Sequence, residues 1–176
     1  MLLYSTLESA DHALVQAARL GDRAAFGCLY QRYRRMVHGI LLAHVPYSDA
    51  EDLMQDVFVQ AIQQVAGLRD EGAFGAWLAR IARNRAIDHQ RRARPSADAT
   101  ELERIPARTD SGAAILGMIR KLPEAYRETL MLRLVEGMTG PEIAAHTGLK
   151  PDSVRVNLCR GMKLLRAQLE RKGGHA

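Results

Sequence analysis

Near the end of the chain, Arg155, Asn157, Arg160 and Lys163 set four long polar side chains within little more than two helical turns. Arginine and lysine donate to phosphate oxygens, and asparagine can pair with the edge of a base. Val154, Leu158, Leu165 and Leu169 recur at helical spacing and form an inner stripe. Arg155, Val156, Asn157, Cys159, Arg160 and Lys163 are thereby expected on the outer face. Such a face suits the major groove of DNA, with Arg155 and Arg160 as the leading contacts and Asn157 as a candidate base reader.

A second concentration of charge lies in the first half. Arg80, Arg83, Arg85, Arg91, Arg92 and Arg94 stand against a single acid, Asp88. Asp49, Glu51, Asp52 and Asp56 lie upstream in a stretch, Ser48 to Gln60, that holds no lysine or arginine. The basic segment suits a nucleic-acid backbone, and the acidic one suits a basic protein surface. Catalytic chemistry finds less support. His12, His38, His44, His89, His146 and His175 are scattered, with no HExxH spacing and no cysteine at ligand distance. There is no glycine-rich phosphate loop either. Neither an enzyme, a metal site nor a cofactor is expected.

These groups need elements to carry them. Leu14, Ala17, Ala18 and Leu20 open a helical pattern that breaks at Gly21-Asp22. It resumes through Phe26, Leu29, Tyr30, Tyr33, Val37, Ile40 and Leu41. After Pro46, Ser48 and Glu51 predict a capping box for a helix whose apolar stripe is Leu53, Val57, Phe58, Ala61, Ile62 and Val65. A turn over 67–72 leads to a third helix from Phe74 through Trp77, Leu78, Ile81 and Ile87, ended by Pro95. The period of Phe74 and Trp77 with Ile81 places both aromatics in the core. From 95 to 112 the composition turns polar and proline-containing, as in a linker.

Beyond it, Ile115, Met118, Ile119 and Leu122 predict a helix. "EAYRETLMLRLVEG" predicts another, with Tyr126, Leu130, Leu132, Leu134 and Val135 apolar. Thr139 and Glu142 form a second capping-box signature, Gly148 suits a tight left-handed turn, and Pro151 suits a helix's first position. Two helices joined by a short glycine-containing turn make a helix-turn-helix. Ala144 is small where the helices cross, and Val154 packs back on the first of them. Lys150 stands at the cap position before the second helix, where it could reach a phosphate.

The bulk numbers agree with an all-α protein. The chain has 176 residues, 47% hydrophobic but only 5% aromatic, with net charge +5 and pI near 9.6. Cys28 and Cys159 are far apart, and there is neither a long apolar run nor a signal-peptide pattern. A reducing, cytoplasmic setting without membrane insertion is expected.

"DAEDLMQDVFVQAI" followed by "FGAWLARIARNRAIDHQRRAR" resembles the second conserved domain of bacterial sigma factors. "LPEAYRETLMLRLVEGMTGPEIAAHTGLKPDSVRVNLCRGMKLLR" resembles their fourth. Both in this order, with only a short linker between, resemble the extracytoplasmic-function (ECF) group of the sigma-70 family. The resemblance implies two small helical domains joined by a flexible linker: domain two at 10–95, linker 96–112, and domain four at 113–172. It implies docking of Asp49, Glu51, Asp52, Gln55 and Asp56 on the β′ clamp of core RNA polymerase, and of domain four on the β flap. Arg80, Arg83, Asn84, Arg85, Asp88, Arg91 and Arg92 would engage the promoter -10 element, a loop near Asn84 to Asp88 holding a flipped base during melting. Lys150, Ser153, Arg155, Val156, Asn157, Cys159, Arg160 and Lys163 would read the -35 element. The linker acids Asp98, Glu101, Glu103 and Asp110 would mimic nucleic acid inside polymerase, and an anti-sigma factor is the expected regulator. Relatives often carry arginine or serine where Asn157 stands and histidine where Cys159 stands, which leaves the -35 preference open. A sigma-like decoy and a free-standing operator-binding regulator are the two other readings of the same residues.

Overall fold

A computed structural model describes residues 2–93 and 110–173. The expected linker acids Asp98, Glu101 and Glu103, together with Arg94, lie outside these residues. Eight α-helices and two short 3-10 turns make up the described chain, with no strand among them. They are α1 (Leu2–Arg19), α2 (Arg23–Leu42), α3 (Tyr47–Gln64), α4 (Phe74–Ala93), α5 (Asp110–Arg120), α6 (Glu124–Leu134), α7 (Gly140–Thr147) and α8 (Pro151–Gly173). The helix α5 thus starts within the stretch read as linker.

The break at Gly21-Asp22 is built as the spacing predicts. Gly21 has φ +92, and the Asp22 carboxylate accepts from the Ala24 and Ala25 amides to cap α2. The start of α3 differs from expectation. Pro46 occupies its N-cap with no side-chain hydrogen bond, and the Ser48 hydroxyl donates instead to Asp49 Oδ1 at 2.9 Å. Placing proline one residue before the helix shifts the boundary past the position from which Ser48 could cap. The α3 stripe is also narrower than its periodicity suggests, since Ile62 is exposed while Leu53, Val57, Phe58, Ala61 and Val65 are buried.

Helices α2, α3 and α4 form the first helical unit, closed at one end by α1. Phe74 and Leu78 are fully buried there, and Trp77 is half-buried beside Phe74, as their spacing predicts. Tyr33 packs edge-on against Phe74 at 5.1 Å, and its hydroxyl donates to Asp11 Oδ2 at 2.7 Å. Burial, reinforced by the Asp11 carboxylate, pushes the Tyr33 phenol well above its ordinary range. Helices α5 to α8 form the second unit around Ile119, Leu130, Met131, Leu132 and Ile143. Leu134 and Val135, expected in this core, are exposed at the end of α6, and Leu169 is exposed on α8. At these helix ends no neighbouring element among the described residues covers the stripe, so the period outlasts the packing.

The two units pack on each other. The apolar core runs without interruption from α2 and α4 into α6 and α7. No helix among the described residues is long and apolar enough to cross a membrane.

Candidate nucleic-acid and polymerase interface

The helix-turn-helix is built by local chemistry. Thr139 and Glu142 close a reciprocal capping box: the Thr139 amide donates to Glu142 Oε2 at 2.6 Å, and the Glu142 amide donates to Thr139 Oγ1 at 3.3 Å. Hydrogen bonds from the Thr139 amide, foremost, and from the Thr139 hydroxyl hold the Glu142 carboxyl below its ordinary range. Gly148 ends α7 at φ +72, with its amide bonded to Ala144 O at 3.0 Å. Pro151 then opens α8. Ala144 and Val154 are buried where the helices cross.

The outer face of α8 is as its spacing predicts except at Asn157, which was expected on it. Ser153, Arg155, Val156, Cys159, Arg160 and Lys163 are exposed, and Lys150 is exposed just before the helix. Positions 152, 155, 156, 159, 160 and 163 follow the three-and-four rule and make one continuous stripe. The Arg155 guanidinium lies 3.4 Å from Asp152, an exposed pair that leaves it available. Asn157 is set apart from the stripe: it is half-buried and turned toward the first helical unit.

On α4, Arg80, Asn84, Asp88, Arg91 and Arg92 are exposed, and their spacing puts Arg80, Asn84, Asp88 and the last two arginines on one side. Residues 84 to 88 lie in the middle of α4, so the expected loop there is helix instead. The run from Ala76 to Ala93 has strong helix formers and neither glycine nor proline to open it. Arg85 is half-buried, with Nε donating to Gln60 Oε1 at 2.9 Å. On α3, Glu51, Asp52, Gln55 and Asp56 are exposed, whereas Asp49 is half-buried and bonded to His89 Nε2 at 2.8 Å. The acidic and basic helices are therefore tied together at this point.

Sequence reasoning missed the cluster around Glu128. This α6 carboxylate is buried, and its partners come from the other unit: Arg83 Nε at 2.8 and 2.9 Å, and His44 Nε2 at 3.0 Å. Burial would raise its pKa, but the hydrogen bonds from His44 and Arg83 prevail and hold it below the ordinary carboxylate range. Glu124 completes a group of three with His44 and Glu128 whose donor atoms lie within 4.8 Å of one another. The fit to a cation is poor, because Arg83 already neutralises Glu128 and would repel a second positive charge. Glu128 stands between Arg127 and Thr129 in the sequence, a polar run that carries no signal of burial.

Known proteins match both halves. The sigma-70 region 2 family matches residues 29–95, and the sigma-70 region 4 family matches residues 112–165. The chain is 28% identical to the ECF RNA polymerase sigma-E factor of Haemophilus influenzae over 91% of its length and 95% of that protein. It is 29% identical to the sigma-E factor of Escherichia coli K12 over 88% of its length and 92% of that protein. Among solved structures, CnrH in complex with the cytosolic domain of CnrY is 29% identical and superimposes with a TM-score of 0.64, covering 92% of this chain and 98% of that one.

Proposed function

The chain belongs to the ECF group of the sigma-70 family, and we propose that it binds core RNA polymerase, selects promoters through -35 and -10 elements and promotes their melting. The observation that carries this reading is the pairing of a basic-faced helix-turn-helix with a region 2 match in the same chain. In this reading the exposed acids of α3, Glu51, Asp52 and Asp56 with Gln55 between them, meet a basic polymerase surface on the β′ clamp. The domain at 113–172 meets the β flap, and the one at 10–95 the -10 element.

Lys150, Arg155, Arg160 and Lys163 supply charge to the phosphates of the -35 duplex, while Ser153, Val156, Asn157 and Cys159 approach its base edges. Arg80, Arg91 and Arg92 hold the non-template strand, with Asn84 positioned to read an unstacked base. Since Asn84 sits within α4, the flipped base would lie against a helix face rather than inside a loop there. CnrH is held by a cytosolic domain of another protein, and a polypeptide anti-sigma partner is proposed for this chain too.

Run-off transcription with purified core polymerase over a promoter pool tests the reading. New start sites sharing two spaced elements are expected only when the chain is added. Core binding without new transcripts would leave a decoy, and no core binding would overturn the proposal.

A further inference from the structure

Side-chain hydrogen bonds join α3 to α4 at both ends of the acidic face. In the first turn of α3, Asp49 Oδ2 lies 2.8 Å from His89 Nε2. One turn before the end of α3, Gln60 Oε1 accepts from Arg85 Nε at 2.9 Å. About 16 Å of helix separates the two anchors. Between them Glu51, Asp52, Gln55 and Asp56 are exposed, whereas Asp49, Gln60, Arg85 and His89 are all half-buried.

Arg85 and His89 stand four residues apart on α4 and so share a side of it. Ala82 and Ala86 on that side are buried. The row Arg80, Asn84 and Asp88 lies about 100° away around the helix, and there all three side chains are exposed. The basic segment is thus divided by direction. Arg80 points to water, and Arg85 is spent on α3.

An apolar stripe seats a helix without fixing its rotation closely, because hydrophobic contact is non-directional. Leu53, Val57, Phe58 and Ala61 supply that seat for α3. A hydrogen bond, by contrast, is directional and holds only over a few tenths of an ångström. Charged tips about 6 Å from the helix axis move about 2 Å when the helix turns by about 20°. A carboxylate so displaced loses a short ion pair with an incoming basic group. We infer that Arg85 and His89 are positioning residues: through Gln60 and Asp49 they fix the rotation of α3, so that its acids meet core polymerase in register, and Arg85 itself makes no contact with promoter DNA. This inference rests on the polymerase-docking reading for what the acids meet, but not for the brace itself.

Three variants of the full-length protein test it. Arg85→Met keeps the apolar stem and removes the donor, Gln60→Leu removes the acceptor, and Gln60→Glu keeps an acceptor for Arg85. Arg85→Met and Gln60→Leu are each expected to weaken core polymerase binding about fivefold, as the aligned fraction of the chain falls. Combined, they are expected to weaken it no further, because both break one bond. Gln60→Glu is expected to retain the wild-type affinity. Thermal denaturation of the same variants, without polymerase, is expected to show the same non-additivity. In the promoter complex of a preformed holoenzyme, Arg85→Met is expected to leave the slope of log affinity against log salt unchanged. Loss of a single-strand phosphate contact would lower it by about 0.7.

A lowered thermal midpoint with unchanged core affinity would make the bond merely stabilising and overturn the positioning role. A salt slope lowered in Arg85→Met would return Arg85 to the DNA and overturn the assignment. Should reversal of Asp52 and Asp56 leave core binding intact, the docking reading falls by itself. The non-additivity in thermal denaturation then still decides whether Arg85 and Gln60 brace α3.

Discussion

Gly148, in the turn of the helix-turn-helix, lies so close to Ala76 at the head of α4 that a Cβ on it would stand 2.7 Å from the alanine's own. The residue is therefore glycine on two separate grounds. Its φ of +72 strains any side chain, at about 1–2 kcal/mol, and the seat on α4 leaves no room for one. Gly148→Ala should lower the thermal midpoint by several degrees, while Gly148→Asn, which tolerates the left-handed backbone, should lower it less. Both carry the same Cβ, so both should also loosen the seam between the units. Equal midpoints for the two variants in thermal denaturation would show that the contact with Ala76, and not the backbone, makes the glycine necessary.

The acidic face of α3 divides into structural and free positions. Asp52 and Asp56 are exposed, whereas Asp49 is bonded to His89 of α4. Asp52→Lys with Asp56→Lys should weaken core polymerase binding at least tenfold and leave the melting curve unchanged, since long-range complementarity is reversed without touching the core. Asp49→Ala should lower affinity and thermal midpoint together. Calorimetric titration of core polymerase alongside denaturation separates the two, and core affinity that survives the double reversal would move the docking surface away from α3.

How far such assignments could be made from residues alone depended on whether the deciding contact was local. The helix-turn-helix was legible because Thr139, Glu142, Gly148 and Pro151 act within a few positions of themselves, and each does in the structure what its type predicts. The core aromatics Phe74 and Trp77 were legible by period. Ser48 failed as a cap because Pro46 already occupies that position, a matter of one residue that spacing cannot resolve. Leu134, Val135 and Leu169 kept the helical period where nothing among the described residues covers them. Glu128 was invisible for the opposite reason: its partners are 84 and 45 residues away, and a glutamate between Arg127 and Thr129 says nothing of what it will meet. The mutual seat of the two units was illegible on the same ground. Whether α3, α4 and α8 carry the proposed contacts is a matter for binding experiments, since a surface position alone does not choose a partner.

On α8, phosphate and base contacts should separate by their response to salt. Arg155 and Arg160 are exposed on one stripe, and Asn157 stands apart from it. Arg155→Ala and Arg160→Ala should each lower the slope of log affinity against log salt by about 0.9 in the promoter complex of the reconstituted holoenzyme. Asn157→Ala should keep the slope and relax preference at one -35 position by about 1–3 kcal/mol. If Asn157→Ala leaves every position of the element equally selective, the residue serves the seam between the units rather than base reading.

The pH dependence of stability should carry the signature of Glu128, whose partners lie in the other unit. Its carboxyl is held below its ordinary value of 4.5 in the folded chain. A depressed folded pKa means that the unfolded or opened chain binds the proton first as the medium is acidified. The stabilisation is thus fully present above the ordinary value and is lost as pH falls through the lower, folded one. His44 and Arg83 face the carboxylate from the first unit, and Glu124 neighbours it on α6. Between pH 6 and pH 3, the thermal midpoint of the wild type should fall steeply at the acid end. Glu128→Gln, less stable at neutral pH, should show a flatter profile, with the two curves converging at the lowest pH. Parallel curves would mean that the carboxylate titrates alike in folded and unfolded chains, and the ion pair would then contribute nothing to holding the units together.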